Sequence, residues 1–459
     1  MKKIIISLAI TFCAGQIFGQ NVEVLFDKKI SDYKQNPNTH LIRCATDEYN
    51  NKLVRKYKLE SKEEFEKWLA PKASQIKKSL AKNTSKVVVR IPVVVHVIHS
   101  GETISNNDRN ITDTRVLSQI TVLNQDFRRM IGTPGYNTNP VGADIEVEFC
   151  LATIDPLGNP STGIDRVNLG NRVWNESNVQ TILKPSTIWD PTKYFNIWVC
   201  QFGGDLSGVL GYAQFPLSSG LPGLDDPEIT ANTDGVIIDW KSFGSNDFAG
   251  ADGLYTPNIN KGRTTTHEIG HAFGLRHIWG DNNDCTVDAI DSFNDYCLDT
   301  PAQSIEHYDC NSVYDSCPNN PGNDMTENYM DYSNDTCMNI FTQDQKIRIL
   351  TVLQNSPRRA SLITSTVCDS QLSVNESGLS KDEINIYPNP VKDYLNIYSK
   401  KGLKIVRYSI FNAIGQEVLK KEVTSGVDLK IKKEKLGTGL FIITVYTENN
   451  YKTFKFLVE

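Results

Sequence analysis

Hydrophobic and polar positions change their spacing several times along this chain. The run KVVVRIPVVVHVIH (86–99) is almost continuously apolar and β-branched, which predicts a central strand. In TDTRVLSQITVLNQDFRRM (112–130), Val116, Ile120, Val122, Leu123 and Phe127 recur at helical spacing. Strand-like runs return at 144–152, 194–200, 209–216 (VLGYAQFP) and 235–240 (GVIIDW). A helix is expected from about 258, then a loop-rich, cysteine-rich stretch to about 340, then a closing helix over TQDQKIRILTVLQN (342–355). Together these predict an α+β domain over 86–365.

Both flanks read differently. Residues 20–85 are polar, with a helix-like stretch at SKEEFEKWLAPKASQIKKSLAK. Residues 366–383 are polar and aperiodic, as a linker is. From 384 to 459 short alternating runs follow one another (INIYPNP, YLNIYS, IVRYSIF, VDLKIKK, LFIITVY, YKTFKFLVE), the pattern of a small all-β sandwich.

Charge supports that division. The net charge is −6, yet residues 380–459 hold 14 Lys and Arg against 9 Asp and Glu, so the remainder carries −11. An acidic chain without a basic stripe lacks the electrostatic footprint of a nucleic-acid binder. Past residue 20 no apolar run approaches the roughly 18 residues needed to span a bilayer, so no transmembrane segment is expected.

The first residues have the layout of an export signal over 1–19. Lys2 and Lys3 precede the apolar run Ile4 to Phe12, and Ile17-Phe18-Gly19 ends in a small residue. Phe12 is too bulky for lipoprotein processing at Cys13, so a freely secreted product is expected. Export makes disulfides expected among the ten cysteines. Cys13 leaves with the signal. Setting Cys44 aside, Cys150, Cys200, Cys285, Cys297, Cys310, Cys317, Cys337 and Cys368 form an even set compatible with four bridges, and sequence alone does not choose the pairing. Cys150 and Cys200 both close strand-like runs and are candidates to bridge neighbouring strands.

The chemistry is concentrated in TTTHEIGHAFGLRHIWG (264–280). The chain has seven histidines, yet three of them fall within eleven residues here. His267 and His271, four apart on a helix, project from one face and can grip one ion. Glu268, rotated about 100° from His267, can lie beside the metal as a general base without filling its shell. Gly274 can take a positive φ and end the helix, so that His277 returns as a third ligand. Three neutral nitrogens leave a fourth position for water, the open geometry of catalytic Zn²⁺.

This H-E-x-x-H-x-x-G-x-x-H segment resembles the long zinc signature of the metzincin metallopeptidases. Downstream, Met330 in NYMDY fits their methionine turn, and Tyr332 matches a tyrosine that approaches the metal and can hydrogen-bond the oxyanion. More narrowly, VLNQDFRR, GYAQFP, HEIGHAFGLRHIWGD, CLDTPAQ, NYMDYSNDTCMN and FTQDQ, in that order, resemble the pappalysin family. The resemblance implies a metzincin-type catalytic domain acting on peptide and protein substrates. It implies disulfides Cys285–Cys317 and Cys310–Cys337, with Cys297 an extra. It also implies a structural Ca²⁺ near the active site, for which Asp295 and Thr300 match the ligand spacing and offer hard oxygen donors. Peptide is expected to lie extended along an edge strand near 210–216.

Cys44, in IRCATDEY, looks like the cysteine-switch sequences of metzincin zymogens. A thiolate is a strong zinc ligand and can occupy the open position. The tail 384–459, with its YPNP and Lys-rich closing strand, resembles the type A C-terminal sorting domain of the type IX secretion system, and that machinery is its implied partner. A secreted, zymogenic zinc endopeptidase is the expectation. Its rival is a catalytically inactive metzincin scaffold serving as a surface binding or adhesion protein, against which the presence of Glu268 argues.

Overall fold

The computed structural model describes residues 24–82, 88–218, 227–250, 253–281, 283–285, 295–368, 384–399, 404–412, 417–423, 428–447 and 451–459. The expected export signal at 1–19, the end of the polar N-terminal flank at 85 and most of the expected linker lie outside them. The chain forms two compact units that divide between Asp369 and Ser370.

In the first unit the β-branched run becomes β1 (Val89–His99), the centre of a six-stranded sheet. On one side β1 pairs in parallel with β2 (Val147–Leu151) and then with β3 (Ile164–Asn168). On the other side it pairs in parallel with β4 (Phe195–Cys200). Beyond lie β5 (Gly211–Ala213) and β6 (Val236–Asp239): β6 is parallel to β4, and β5 is antiparallel to β6 at the edge. Alternate side chains of β1 enter different cores, which is why its apolar run is unbroken. Val93, Val95 and Val97 pack with α3 (Asp113–Phe127) and α4 (Arg263–Ala272), while Ile98 joins Trp198, Tyr212 and Ile237 on the opposite face. Between His99 and β6 the helical spacing of Val116, Leu123 and Phe127 is realised in α3, capped by the Thr112 side chain accepting from Arg115 N.

The polar N-terminal flank carries two helices, α1 (Thr46–Tyr57) and α2 (Lys62–Lys82). Periodicity announces α2 but not α1, whose apolar side is little more than Tyr49 and Leu53. Both helices depend on the rest of the first unit for cover. Phe65, Trp68 and Leu69 of α2 share a cluster with Phe215 and with Val352 of α5 (Gln343–Asn355), and Tyr49 packs on Tyr212. β3 was also not anticipated, being short and half-exposed.

Three disulfides are present among the described residues: Cys150–Cys368, Cys285–Cys317 and Cys310–Cys337. The last two are the pairs implied by the family resemblance. The expected four bridges and the proposed role of Cys200 do not hold: Cys200 and Cys297 are free and buried. The reason is topological, because β1 lies between β2 and β4 and separates Cys150 from Cys200. Cys150 instead ties down the end of the unit, where Val367 O also accepts from Thr153 N at 2.8 Å.

The second unit is a β-sandwich. One sheet has the order β11 (Asp428–Lys432), β8 (Tyr394–Ser399), β7 (Ile384–Tyr387). The other runs β10 (Glu417–Glu422), β9 (Ile405–Asn412), β12 (Gly439–Thr447), β13 (Tyr451–Val458). Neighbouring strands within each sheet are antiparallel, and Ile397, Ile410, Ile431, Phe441, Ile443 and Phe456 fill the space between the sheets.

Candidate active site

α4 is rich in Thr, His and Gly, which are weak helix formers, yet all ten of its residues are buried, so packing more than propensity holds it. It ends where Gly274 takes φ +90°, with Leu275 N bonded to Gly270 O at 2.9 Å. A Cβ at Gly274 would also stand 2.6 Å from Val352 Cγ2, so glycine is required twice over. The turn brings His277 back to the helix.

The three imidazoles converge. Nε2 of His271 lies 3.1 Å from Nε2 of His267 and 3.1 Å from Nε2 of His277. Their opposite nitrogens are engaged: His267 Nδ1 with Tyr329 O at 2.7 Å, His271 Nδ1 with Leu275 O at 2.9 Å, and His277 Nδ1 with Asp281 Oδ1 at 2.7 Å. Carbonyl oxygens only accept, so Nδ1 of His267 and His271 must carry the proton. Their Nε2 lone pairs are thus left facing one another in a buried space, an arrangement that a cation relieves. Burial and the neighbouring imidazoles hold His267 and His271 well below the usual histidine range. Burial also lowers His277, but Asp281 outweighs it and the net shift is upward. With Cys44 Sγ, the histidines form a buried set whose ligand atoms lie within 4.8 Å of one another, the one such group among the described residues.

Glu268 is fully buried beside this group, and burial pushes its carboxyl up to about 7 against the hydrogen bonds it receives. Those bonds come from the N-terminal flank: Thr46 Oγ1 at 2.7 Å and Cys44 Sγ at 3.4 Å, both to Oε2. Met330 lies under α4 with its sulfur against Gly270, where an added Cβ would stand 2.5 Å from Sδ. The Tyr332 ring centroid is 5.0 Å from that of His277, and its hydroxyl donates to Cys44 O at 3.4 Å.

Asp295 and Thr300 are adjacent and buried: the Thr300 hydroxyl donates to both carboxylate oxygens, at 3.0 and 3.1 Å. Burial raises Asp295 well above the carboxylate range, and nearby Asp299 Oδ1 is buried without a hydrogen-bond partner. Sequence reasoning missed Thr46, Asp281 and the ion pair between Arg43 Nη2 and Asp335 Oδ1 at 2.8 Å. Asp281 had a local signal, four residues after His277. The other contacts cross nearly the whole unit and had none.

A mixed sheet with an antiparallel edge strand, lying over a helix that supplies two imidazoles and a carboxylate and a turn that returns a third imidazole to the same spot, defines a metal-dependent peptidase. The family model described as pregnancy-associated plasma protein-A (peptidase M43) matches residues 182–354, and one described as a secretion system C-terminal sorting domain matches 385–459. An extracellular metalloprotease of Arthroderma benhamiae is 32% identical over 261 residues, 57% of this chain and 76% of the relative. One of Sordaria macrospora is 29% identical over 279 residues, 61% of this chain and 80% of the relative. Among solved structures, mature mirolysin of Tannerella forsythia with a cleaved peptide is 37% identical, covers 61% of this chain and 96% of its own, and superposes with a TM-score of 0.50. A promirolysin mutant from the same organism is 32% identical, covers 71% and 97%, and has a TM-score of 0.53. The chain belongs to the pappalysin family of zinc metalloendopeptidases, and it is a secreted member carrying a type IX sorting domain.

Proposed function

We propose that this chain is exported as a zymogen and, once its pro-segment (20–85) is gone, hydrolyses peptide bonds in extracellular proteins. The observation that carries the reading is the convergence of three Nε2 atoms beside a buried carboxylate. His267, His271 and His277 would hold the metal. Zn²⁺ bound there supplies Lewis acidity to the scissile carbonyl and lowers the pKa of water. Glu268 then takes the proton of the attacking water and returns it to the leaving amine. Tyr332, whose ring lies 5.0 Å from that of His277, would donate its hydroxyl to the developing oxyanion, and Met330 would support the histidines from below. Asp281 fixes the tautomer and orientation of His277.

The N-terminal flank supports the reading of latency by lying where substrate would lie. Leu210 N donates to Ile42 O and Ile42 N to Gly208 O, both at 2.9 Å, while Ala45 N donates to Gly211 O at 3.2 Å. This is backbone pairing along the edge strand and the residues leading into it, of the kind expected for an extended peptide. Cys44 stands in the position of a fourth ligand. One residue earlier, Arg43 reaches buried Asp335, so a basic side chain next to the scissile bond is the preference we assign to substrates. Asp295 and Thr300 are the residues we assign to a structural Ca²⁺, and the sorting unit is the export address read by the type IX machinery. No specific observation favours the scaffold alternative, and the convergence of the three imidazoles beside Glu268 supports the enzymatic reading.

The test is peptide cleavage by the matured chain with and without a zinc-selective chelator, beside Glu268→Ala. Both treatments are expected to abolish turnover, the variant by about 10²–10⁴ with its metal content retained. A matured Glu268→Ala enzyme cutting at the wild-type rate would overturn the mechanism.

A further inference from the structure

The N-terminal flank presents acidic as well as basic chemistry to the catalytic unit. Downstream of Cys44, Glu66 of α2 is buried and held by two guanidinium groups of the unit. Arg348 meets it through Nη1–Oε2 at 2.7 Å and Nη2–Oε1 at 2.9 Å, and Arg276 meets Oε1 through Nε at 3.2 Å. Arg276 is 4% and Arg348 5% exposed. Arg276 also approaches a second flank carboxylate, Asp47, at 3.9 Å. Among the described residues, every ion pair of these two arginines is with the N-terminal flank.

The catalytic unit holds the pair in place without that flank. Arg348 Nη2 donates to Gly274 O at 2.9 Å, in the turn between His271 and His277. The Arg276 guanidinium lies 4.1 Å from the Phe215 ring centroid, just past the edge strand, and the Arg348 guanidinium lies 5.4 Å from that of Tyr296. Two oriented guanidinium groups thus lose every direct ion-pair partner when the flank leaves, with Asp295 acting on Arg348 only through its field, and a planar carboxylate is the group that satisfies such a fork.

We infer that Arg276 and Arg348 form a carboxylate-binding subsite of the mature cleft, selecting substrates with an acidic side chain a few residues from the scissile bond. The reach comes from the flank itself. Asp47 follows metal-facing Cys44 by three residues and already comes within 3.9 Å of Arg276. Arg43 precedes Cys44 and pairs with Asp335. The flank is therefore a charge template of the cleft, basic on one side of the metal-facing residue and acidic on the other. The inference rests on the reading of residues 20–85 as a removable pro-segment.

The experiment uses the full chain, matured until its N-terminus maps beyond residue 85. A series of quenched peptides with one basic residue beside the scissile bond carries Glu at each other position in turn, each paired with its Gln counterpart. The ratio of kcat/KM for Glu over Gln is expected to reach about tenfold at one position two to four residues from the scissile bond, as suits a charge-assisted bidentate contact. Arg348→Gln and Arg276→Gln are each expected to bring that ratio toward one, and Arg348→Lys to retain part of it. A wild-type ratio at or below one at every position overturns the subsite without any variant having to fold, as does an elevated ratio unchanged in both Gln variants. If the Gln peptides too go uncut, the peptidase reading itself fails and this inference with it.

Discussion

Thr46 Oγ1 donates to Glu268 Oε2 at 2.7 Å while accepting from Ala213 N at 2.8 Å, so one hydroxyl of the N-terminal flank links the candidate base to the edge strand. Cys44, two residues earlier, places its sulfur among the three imidazoles. On the proposed zymogen reading, latency has two parts, one at the metal and one at the base. Cys44→Ala is expected to raise peptidase activity of the full-length form by about tenfold or more, because a methyl group cannot replace a thiolate ligand. Thr46→Val should raise it less, and the double variant should exceed either. Initial rates on one quenched peptide before any N-terminal cleavage decide this; a Cys44→Ala protein as silent as the wild type removes the switch.

Asp335 is buried, pairs with Arg43 and also accepts from Lys261 N at 2.8 Å. On the proposed reading, the same carboxylate would face substrate in the mature enzyme. Asp335→Asn is expected to lower kcat/KM for peptides with Arg beside the scissile bond by about tenfold or more, with a much smaller effect on Ala at that position. Equal losses on both peptides would assign Asp335 a structural role only.

The buried carboxylate of Asp295, raised by desolvation and bonded to Thr300, should respond to a hard cation. Calcium at about a hundred times its dissociation constant is expected to stabilise the protein by about 2.7 kcal/mol, read as a rise in Tm. Asp295→Asn should lose that rise. A Tm indifferent to calcium and chelator alike would reject the assignment.

Lys184 is fully buried beneath Tyr49, Trp198 and Tyr212, with ring centroids 5.2, 5.2 and 4.9 Å from Nζ. Burial pulls its pKa down to about 7, against the opposing pull of Asp234. In the unfolded chain a lysine stays protonated to about 10.4. Between those values the unfolded state binds more protons, so the cost of this group falls as pH rises. Lys184→Met in the full-length form should be favoured over the wild type near pH 7, and that difference in Tm should shrink toward about pH 10. A difference independent of pH would show that Lys184 ionises as an exposed lysine does.

The sequence by itself determined what short-range chemistry determines. Helical spacing put His267 and His271 on one face with Glu268 beside them, and Gly274 had to break that helix because the left-handed turn at φ +90° excludes most other residues. The β-branched run of β1, the spacing of α3 and the alternation in the sorting unit were legible for the same reason, since each is a local period imposed by backbone geometry. Tertiary structure decided the contacts between residues far apart in the chain. Cys150 pairs with Cys368 rather than Cys200 because β1 intervenes in the sheet. α1 exists because Tyr49 and Leu53 find cover on the catalytic unit, which no period within TDEYNNKLVRKY announces. Thr46 on Glu268, Arg43 on Asp335 and Glu66 between Arg276 and Arg348 likewise join side chains more than two hundred positions apart. Their pairing follows from burial, because a charge or hydroxyl taken from water must find its partner wherever the fold places one.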